Sequence, residues 1–394
     1  MKHIGIVTFT LPPTIGGVES HLIELIQGLH DSGFSIHVFS PPHYLGKAEP
    51  LLPDVELSTH HCLDPFWVRR QKADAGLAES DASDKLINEL VEFFRRHVLE
   101  SKIDVLHAHN LHYFVAEPAH ALNILGSECG VPTVLTIHED WNSPLSRSLM
   151  SLFDQRIVIS KHVGKSVGIA KSTSLVYYGI NLDVRSEPDS LPRIGIDTSR
   201  PIVVHPARML PWKGCLTSLE AIARLVSDFP DILLVLTDTK SIFDWHHELE
   251  GYREQVMNRV QTMNLQNNVL VHEFSRPELL NLMSDADIVV YPTLGSEPFG
   301  VVPVEAMWLG TPVIVTNSGG LPESVIDGHT GFVIPRDKPE SLAQCIRRLL
   351  CDDSLAVKMS QNAKHHASTM FSRDRMIDQT VEVYRKAAGD YGKG

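Results

Sequence analysis

The chain has few cysteines and none of them are close together: Cys62, Cys129, Cys215, Cys345 and Cys351 form no CxxC pair. That scatter excludes a disulfide framework and a zinc knuckle and fits a reducing cytoplasm. Long apolar runs are also missing. None approaches the roughly 20 residues that span a bilayer, so no integral membrane contact is expected. Met1 leads straight into a strand pattern (Ile4, Ile6, Val7, Phe9) with no basic leader or apolar h-region, so export by a signal peptide is not expected. Basic residues are in deficit, 35 Lys plus Arg against 48 Asp plus Glu, for a formal charge of −13. Nucleic acid and anionic lipid both reward a basic face, so neither is expected as a partner. The dinucleotide fingerprint GxGxxG is absent from the first strand-to-helix turn, which argues against a dehydrogenase.

What remains is the composition of a folded protein, 43% apolar and 21% charged. At 394 residues the chain exceeds one ordinary core, and two domains are expected, residues 1–190 and 191–394. Short β-rich runs alternate with helical patterns in both halves, the signature of doubly wound α/β domains with parallel sheets. In the first half the runs cover 4–9, 36–40, 105–109, 133–137, 157–160 and 175–178. Between the first two, Val18, Leu22, Leu25, Ile26 and Leu29 form a helical stripe that packs on a sheet. Residues 186–201 hold three prolines and little periodicity and read as a linker. The pattern restarts at 202–205, 232–237, 269–274, 288–291, 313–316 and 332–334. From Pro339 onward it is helical only, a terminal segment assigned to the second domain.

Ligands of open parallel sheets bind beyond the carboxyl ends of the strands, and the chemically suggestive residues cluster there. Glu297-Pro298-Phe299-Gly300 follows the run 288–291, and Val304-Glu305-Ala306 lies on the helix that Gly300, Val301 and Val302 begin. Free N–H groups at such a helix start favour a phosphate. The carboxylates of Glu305 and Glu297 can accept paired hydroxyl donors from a ribose diol and from a sugar. A single glutamate is by default only a surface charge; the combination with Pro-Phe-Gly is what points to a site. In the loop His205 to Gly214, Arg208 and Lys213 place two cations where a departing diphosphate gathers charge. Gly16-Gly17, between the first strand and helix, lets backbone approach a ligand. His109 and His138 each end a strand of the first domain. His107, His109 and His112 have no carboxylate or cysteine at ligand spacing, so no metal site is expected.

Together these residues resemble the family 4 glycosyltransferases, a retaining group with the GT-B fold of two facing Rossmann-like domains. The likeness covers nearly the whole chain and rests on Gly16-Gly17, His109, Arg208 with Lys213, and Glu297 with Glu305 in the family's EX7E pattern. It implies that the second domain holds the nucleotide and that Glu305 binds ribose. Arg208, Lys213 and the Gly17 amide would hold the diphosphate; Glu297 and the Phe299-Gly300-Val301 backbone would grip the donor sugar. His109 would contact that sugar from the acceptor side, completing a catalytic set of Glu297, His109, Arg208 and Lys213. Two departures stand out. Tyr177-Tyr178-Gly179-Ile180 replaces a common Asn-Gly, and Pro206-Ala207-Arg208-Met209-Leu210 replaces a Gly-Arg-Leu run.

The resemblance implies no cofactor beyond the nucleotide-diphosphate sugar itself, expected to be UDP-glucose or UDP-GlcNAc. The His205 to Gly214 run resembles that of aminocyclitol glycosyltransferases of aminoglycoside antibiotic pathways. Residues 1–190 carry 15 Lys plus Arg against 23 Asp plus Glu, a balance of −8. Glu19, Glu117, Glu139 and Asp140 could therefore meet a small cationic acceptor, with His138, Glu139 and Asp140 as the acceptor-binding residues. Two rivals stay open: a lipid- or glycan-acceptor transferase of the same family, for which Phe66, Trp67, Arg69, Arg70 and Lys72 offer a small surface helix, and a sugar-nucleotide epimerase.

Overall fold

The computed structural model describes residues 1–12, 16–42, 54–74, 79–168, 172–182, 196–238 and 251–391. The chain divides into two compact units, Met1–Asn181 with Ser372–Gly394, and Leu182–Phe371.

The first unit is built on seven parallel strands: β1 (His3–Thr8), β2 (Ser35–Ser40), β3 (Glu56–Thr59), β4 (Val105–His109), β5 (Thr133–Ile137), β6 (Gln155–Val158) and β7 (Thr173–Leu175), in the order β3-β2-β1-β4-β5-β6-β7. β4 and β5 are buried at every residue because helices cover both faces of a parallel sheet. The order reverses between β1 and β4. Their register pairs Thr8 with His109, so His109 ends level with the loop that opens the helix Gly17–Asp31. That helix buries Leu22, Leu25, Ile26 and Leu29, as its stripe predicts. β3 was not legible: it is a four-residue edge strand with half-exposed side chains and little alternation. β6 and β7 each lie about two residues earlier than expected. The Ser160 hydroxyl accepts from the Val163 N–H and starts the helix Lys161–Val167, which closes the preceding strand. Val176 and Tyr178 are buried without belonging to a strand, so their apolarity marks burial, not pairing.

The expected division at residue 190 needs a correction at the carboxyl terminus. The last helix, Arg373–Tyr391, belongs to the first unit. Met376, Ile377, Val381, Val383, Tyr384 and Ala387 share one core with Ile4, Ile6, Leu22 and Leu25. Gly28 permits the approach, since a Cβ there would lie 2.5 Å from Ile377 Cγ1. Arg373 pairs with Asp31 at 3.0 Å. The apolar stripe needed a partner face, and the helix Gly17–Asp31 offers one. Most of the expected linker, 186–195, lies outside the described residues.

The second unit holds six parallel strands: β8 (Ile202–His205), β9 (Leu233–Thr237), β10 (Val269–His272), β11 (Ile288–Tyr291), β12 (Val313–Thr316) and β13 (Gly331–Ile334), ordered β10-β9-β8-β11-β12-β13. All six were legible as apolar runs. This order reverses between β8 and β11, where Val203 pairs with Ile288. The loops after these two strands carry Lys213 and Glu297. Helices Pro339–Cys351 and Asp353–Met370 complete the unit. Among the described residues no helix is long and apolar enough to cross a membrane.

Candidate active site

In the second unit the loops after β8 and β11 are joined by their backbones. Trp212 O accepts from Leu294 N–H (2.7 Å), Gly295 N–H (3.2 Å) and the Thr293 hydroxyl (2.8 Å). Gly214 makes the crossing possible: its φ is +82°, and a Cβ would stand 2.0 Å from Pro292 O. The outcome is a triangle of side chains. Lys213 Nζ lies 2.6 Å from Glu297 Oε2 and 2.7 Å from the Tyr291 hydroxyl, which itself donates to Glu297 Oε2 at 3.1 Å. Burial works against the charge on Lys213. The Tyr291 phenol and the Glu297 carboxylate outweigh it, and its pKa stands above the ordinary lysine value. Burial, then the carboxylate, pushes Tyr291 up to about 12, so its phenol keeps its proton. Lys213 is thus a fixed cation beside a carboxylate. Arg208 sits on the same loop but is exposed.

The segment after Glu297 is clasped from outside. Gly320 N–H donates to Glu297 O at 2.8 Å, and Gly319, at φ +55°, leaves no room for a Cβ against that same carbonyl. Phe299 is buried, edge-on to Phe371 with ring centroids 5.6 Å apart. Gly300 caps the helix Val301–Leu309 at φ +87°. Glu305, a turn inside it, is only 1% exposed, and a carboxylate so placed needs partners. The Arg276 guanidinium supplies them as a fork, Nη1 to Oε2 at 3.0 Å and Nη2 to Oε1. Arg276 begins the helix Arg276–Asp285 directly after β10 and is itself about half exposed.

In the first unit the strand ends gather histidines. His109 Nδ1 is hydrogen-bonded to His138 Nε2 at 2.9 Å, and His138 Nδ1 to the Tyr178 hydroxyl. His138 is held by its backbone as well, its N–H donating to Asn110 Oδ1 at 2.9 Å. Asn110 is a non-glycine residue at φ +57°, a backbone cost that this bond helps offset. His21 stacks on the Tyr178 ring with centroids 4.5 Å apart. Burial lowers the pKa of His109 and His138 well below the ordinary histidine value and that of His21 to about 3, so all three are neutral at pH 7. His107 points elsewhere, to Tyr384 OH and Thr136 Oγ1, both at 2.7 Å.

A histidine grouping therefore exists, but with membership the sequence did not suggest: ring nitrogens of His21, His109 and His138 lie within 4.8 Å of one another. Two nitrogens on a tetrahedral zinc would stand roughly 3.3 Å apart, given bonds of about 2.0–2.1 Å. The 2.9 Å separation of His109 and His138 is that of a shared proton instead.

The structure brings Lys213 and Glu297 together, sets Glu305 on the expected helix, and joins His109 to His138. Gly16 and Gly17 open the first helix, but Pro13, Thr14 and Ile15 of that loop lie outside the described residues. The expected acidic acceptor surface needs revision. Glu117 is buried against Lys72 (3.0 Å) and Ser83 (2.8 Å), and Asp140 pairs with His162 at 2.9 Å. Glu117 is committed inside the fold, whereas Asp140 and its partner stay 30% exposed. Glu139 is half-buried. Sequence reasoning missed Tyr291, Arg276, His21 and Tyr178. For the first two a signal was available, since Tyr291 ends β11 and Arg276 follows a strand as the first residue of a capped helix.

Comparison with known proteins gives the family and the fold. Residues 15–184 match Glycosyltransferase Family 4, and residues 186–366 match Glycosyl transferases group 1. An uncharacterized glycosyltransferase of Methanocaldococcus jannaschii is 26% identical over 99% of this chain and all of its own. The D-inositol 3-phosphate glycosyltransferase of Paenarthrobacter aurescens is 27% identical over 94% of this chain and 93% of its own. Among solved structures, Anabaena HepE in complex with UDP-glucose superposes with a TM-score of 0.74 at 21% identity, covering 98% of this chain and all of that one. Both sheets have the parallel, doubly wound topology of the GT-B fold. By both halves of its sequence, the chain belongs to the group 1 and family 4 glycosyltransferases.

Proposed function

We propose that the chain is a retaining, metal-independent glycosyltransferase that moves a hexose or N-acetylhexosamine from UDP-glucose or UDP-GlcNAc to a small polar acceptor. The observation that carries this reading is the Lys213, Tyr291, Glu297 triangle at the carboxyl ends of β8 and β11, with Glu305 eight residues further on. Lys213 and Arg208 would neutralise the departing diphosphate in place of a metal ion. Glu297 and the backbone of Phe299, Gly300 and Val301 would hold the sugar hydroxyls, and Glu305 the ribose. The resemblance to the family implies roles for His109, Gly16 and Gly17 as well. The acceptor hydroxyl attacks C1 on the face the leaving group departs from. The C1–O bond to the diphosphate breaks, and a diphosphate oxygen takes the acceptor's proton. Positioning and fixed charge would carry the rate.

The acceptor class we propose is a cationic aminocyclitol, supported by the acidic balance of residues 1–190 and by the half-buried Glu139 just after β5; His138, expected beside it, is buried with both ring nitrogens hydrogen-bonded and is withdrawn from the acceptor set. Purified protein incubated with UDP-, GDP- and ADP-sugars, 2-deoxystreptamine-type acceptors and EDTA should release UDP only when acceptor is present, giving an α-linked adduct. Glu297→Ala and Arg208→Ala should each lower turnover by roughly 10²-fold or more. Near-normal turnover in either variant, or loss of activity in EDTA, overturns the assignment of roles. Conversion of donor alone would favour an epimerase, and transfer only in the presence of lipid vesicles a lipid acceptor.

A further inference from the structure

The loop that follows β5 holds a tryptophan out of the fold. Trp141 is 60% exposed, the most exposed tryptophan among the described residues. An indole left in water forfeits the burial that usually orders so large a side chain, so its backbone must be fixed by other means. Ser166, on the helix Lys161–Val167, grips both neighbours of Trp141: its hydroxyl donates to Asp140 O at 2.7 Å, and its carbonyl accepts from Asn142 Nδ2. Asp140 is tied further to His162 at 2.9 Å, and Arg147 Nη1 donates to Asn142 Oδ1. Trp141 O accepts from the Ser146 hydroxyl at 3.4 Å. The Ser143 hydroxyl accepts from Ser146 N–H at 3.0 Å and caps the helix Pro144–Met150. The backbone on each side of Trp141 is thus pinned while the ring stands in solvent.

Such an indole meets a ligand at small entropic cost, because only its own two χ angles are left to order. The loop stands at the carboxyl end of the first sheet, and β5 pairs with β4, one of the two strands at which the strand order reverses. Open parallel sheets receive their ligands there. Ring chemistry narrows the ligand. A six-membered ring with equatorial substituents turns its axial C–H bonds toward a flat partner, and an indole face also attracts an ammonium group. Glu139, half-buried and two residues before Trp141, adds a carboxylate on the same loop. An anionic bilayer fits the same surface poorly, since residues 1–190 carry a balance of −8. We propose that Trp141 is the platform of an acceptor subsite, its indole face stacking on a polyhydroxylated six-membered ring that bears an ammonium group. That the occupant is the acceptor rests on the glycosyl-transfer reading; the platform does not.

The test uses the full-length protein with 2-deoxystreptamine as the probe ring. Trp141→Ala should keep the wild-type Tm, because so exposed a side chain contributes little to stability. It should raise the KM for 2-deoxystreptamine by about fivefold or more and leave the KM for UDP-glucose unchanged. Trp141→Phe keeps a smaller ring and should recover part of that loss. Leu145→Ala removes a side chain nearly as exposed, 58%, that offers no ring face, and should lose none of it. Saturation-transfer NMR without donor reads the contact itself: the axial ring protons of 2-deoxystreptamine should take the strongest saturation from the wild-type protein and lose it in Trp141→Ala. An unchanged acceptor KM in Trp141→Ala, a loss matched by Leu145→Ala, or a donor KM that rises in parallel overturns the platform. So does a Trp141→Ala protein that loses several degrees of Tm, or one in which sedimentation shows the loss of a dimer or of binding to vesicles. Wild-type turnover with a silent Trp141→Ala leaves the transferase reading standing. Saturation that depends on Trp141 in a protein without turnover supports the platform and overturns that reading, and neither turnover nor saturation overturns both.

Discussion

Replacing Lys213 by methionine removes the cation from the triangle but keeps most of the side-chain volume. What it leaves behind is a Glu297 carboxylate 14% exposed, facing the Tyr291 hydroxyl. Deleting one member of a buried pair costs roughly 3–5 kcal/mol, because the other charge stays desolvated. Here the residual exposure and the 3.1 Å bond from Tyr291 soften the loss, and about 2–3 kcal/mol is expected. At roughly 2–4 °C per kcal/mol for a domain of this size, Tm should fall by about 4–12 °C. Replacing both partners, Lys213→Met with Glu297→Gln, removes the stranded charge, so the double variant should recover about 1–2 kcal/mol relative to the sum of the single losses. Calorimetry and urea unfolding of the four proteins measure this coupling. The pair also carries a pH signature. The folded pKa of Lys213 is raised above 10.5, so its contribution is complete below pH 10.5 and is lost as pH rises through the folded value. That alkaline loss should be absent from Lys213→Met. Additive single losses, or a lysine variant as stable as wild type, would refute the triangle as drawn.

Other consequences follow from single sites. The folded pKa of His21 is depressed to about 3, so its contribution to stability is full above pH 6.5 and is lost as pH falls toward 3. His21→Phe should flatten that decline by one proton's slope, measured as Tm from pH 7 to pH 4; an unchanged slope would mean His21 charges freely in the folded protein. Gly300→Ala meets Leu321 Cδ2 at 2.4 Å and adopts φ +87°, so a loss of about 1–3 kcal/mol in urea unfolding is expected, with weaker UDP binding. Tyr384→Phe strips His107 of its Nδ1 partner and should cost about 1–3 kcal/mol; a silent variant would detach the terminal helix from this role. Glu305→Ala should raise KM for the donor at least tenfold, read as nucleotide release against donor concentration, and an unchanged KM would remove Glu305 from the nucleotide site.

The glutamates were legible because their signal is local. Seven residues separate Glu297 from Glu305, Gly300 lies between, and a strand precedes them; each feature sits within one loop and one helix. The strands β1, β4, β5, β8 and β11 were legible for the same reason, as short apolar runs that both-sided burial demands. Edge strand β3 escaped because half-exposed residues carry no such run.

Two parallel-sheet domains and the loops that carry the candidate groups were legible in the sequence alone, since burial periodicity and turn chemistry are written within a few residues. Tertiary structure decided which groups meet. Lys213 finds Glu297 across 84 residues, Glu305 finds Arg276, His109 finds His138, and the last helix finds a face built from the helix Gly17–Asp31 and strands of the first sheet. It also gave Glu117 a partner in Lys72 beneath the surface, and Asp140 a half-buried one in His162, that composition could not name. Those choices depend on strand order and register, properties of pairings between distant segments, and nothing within either segment alone encodes them.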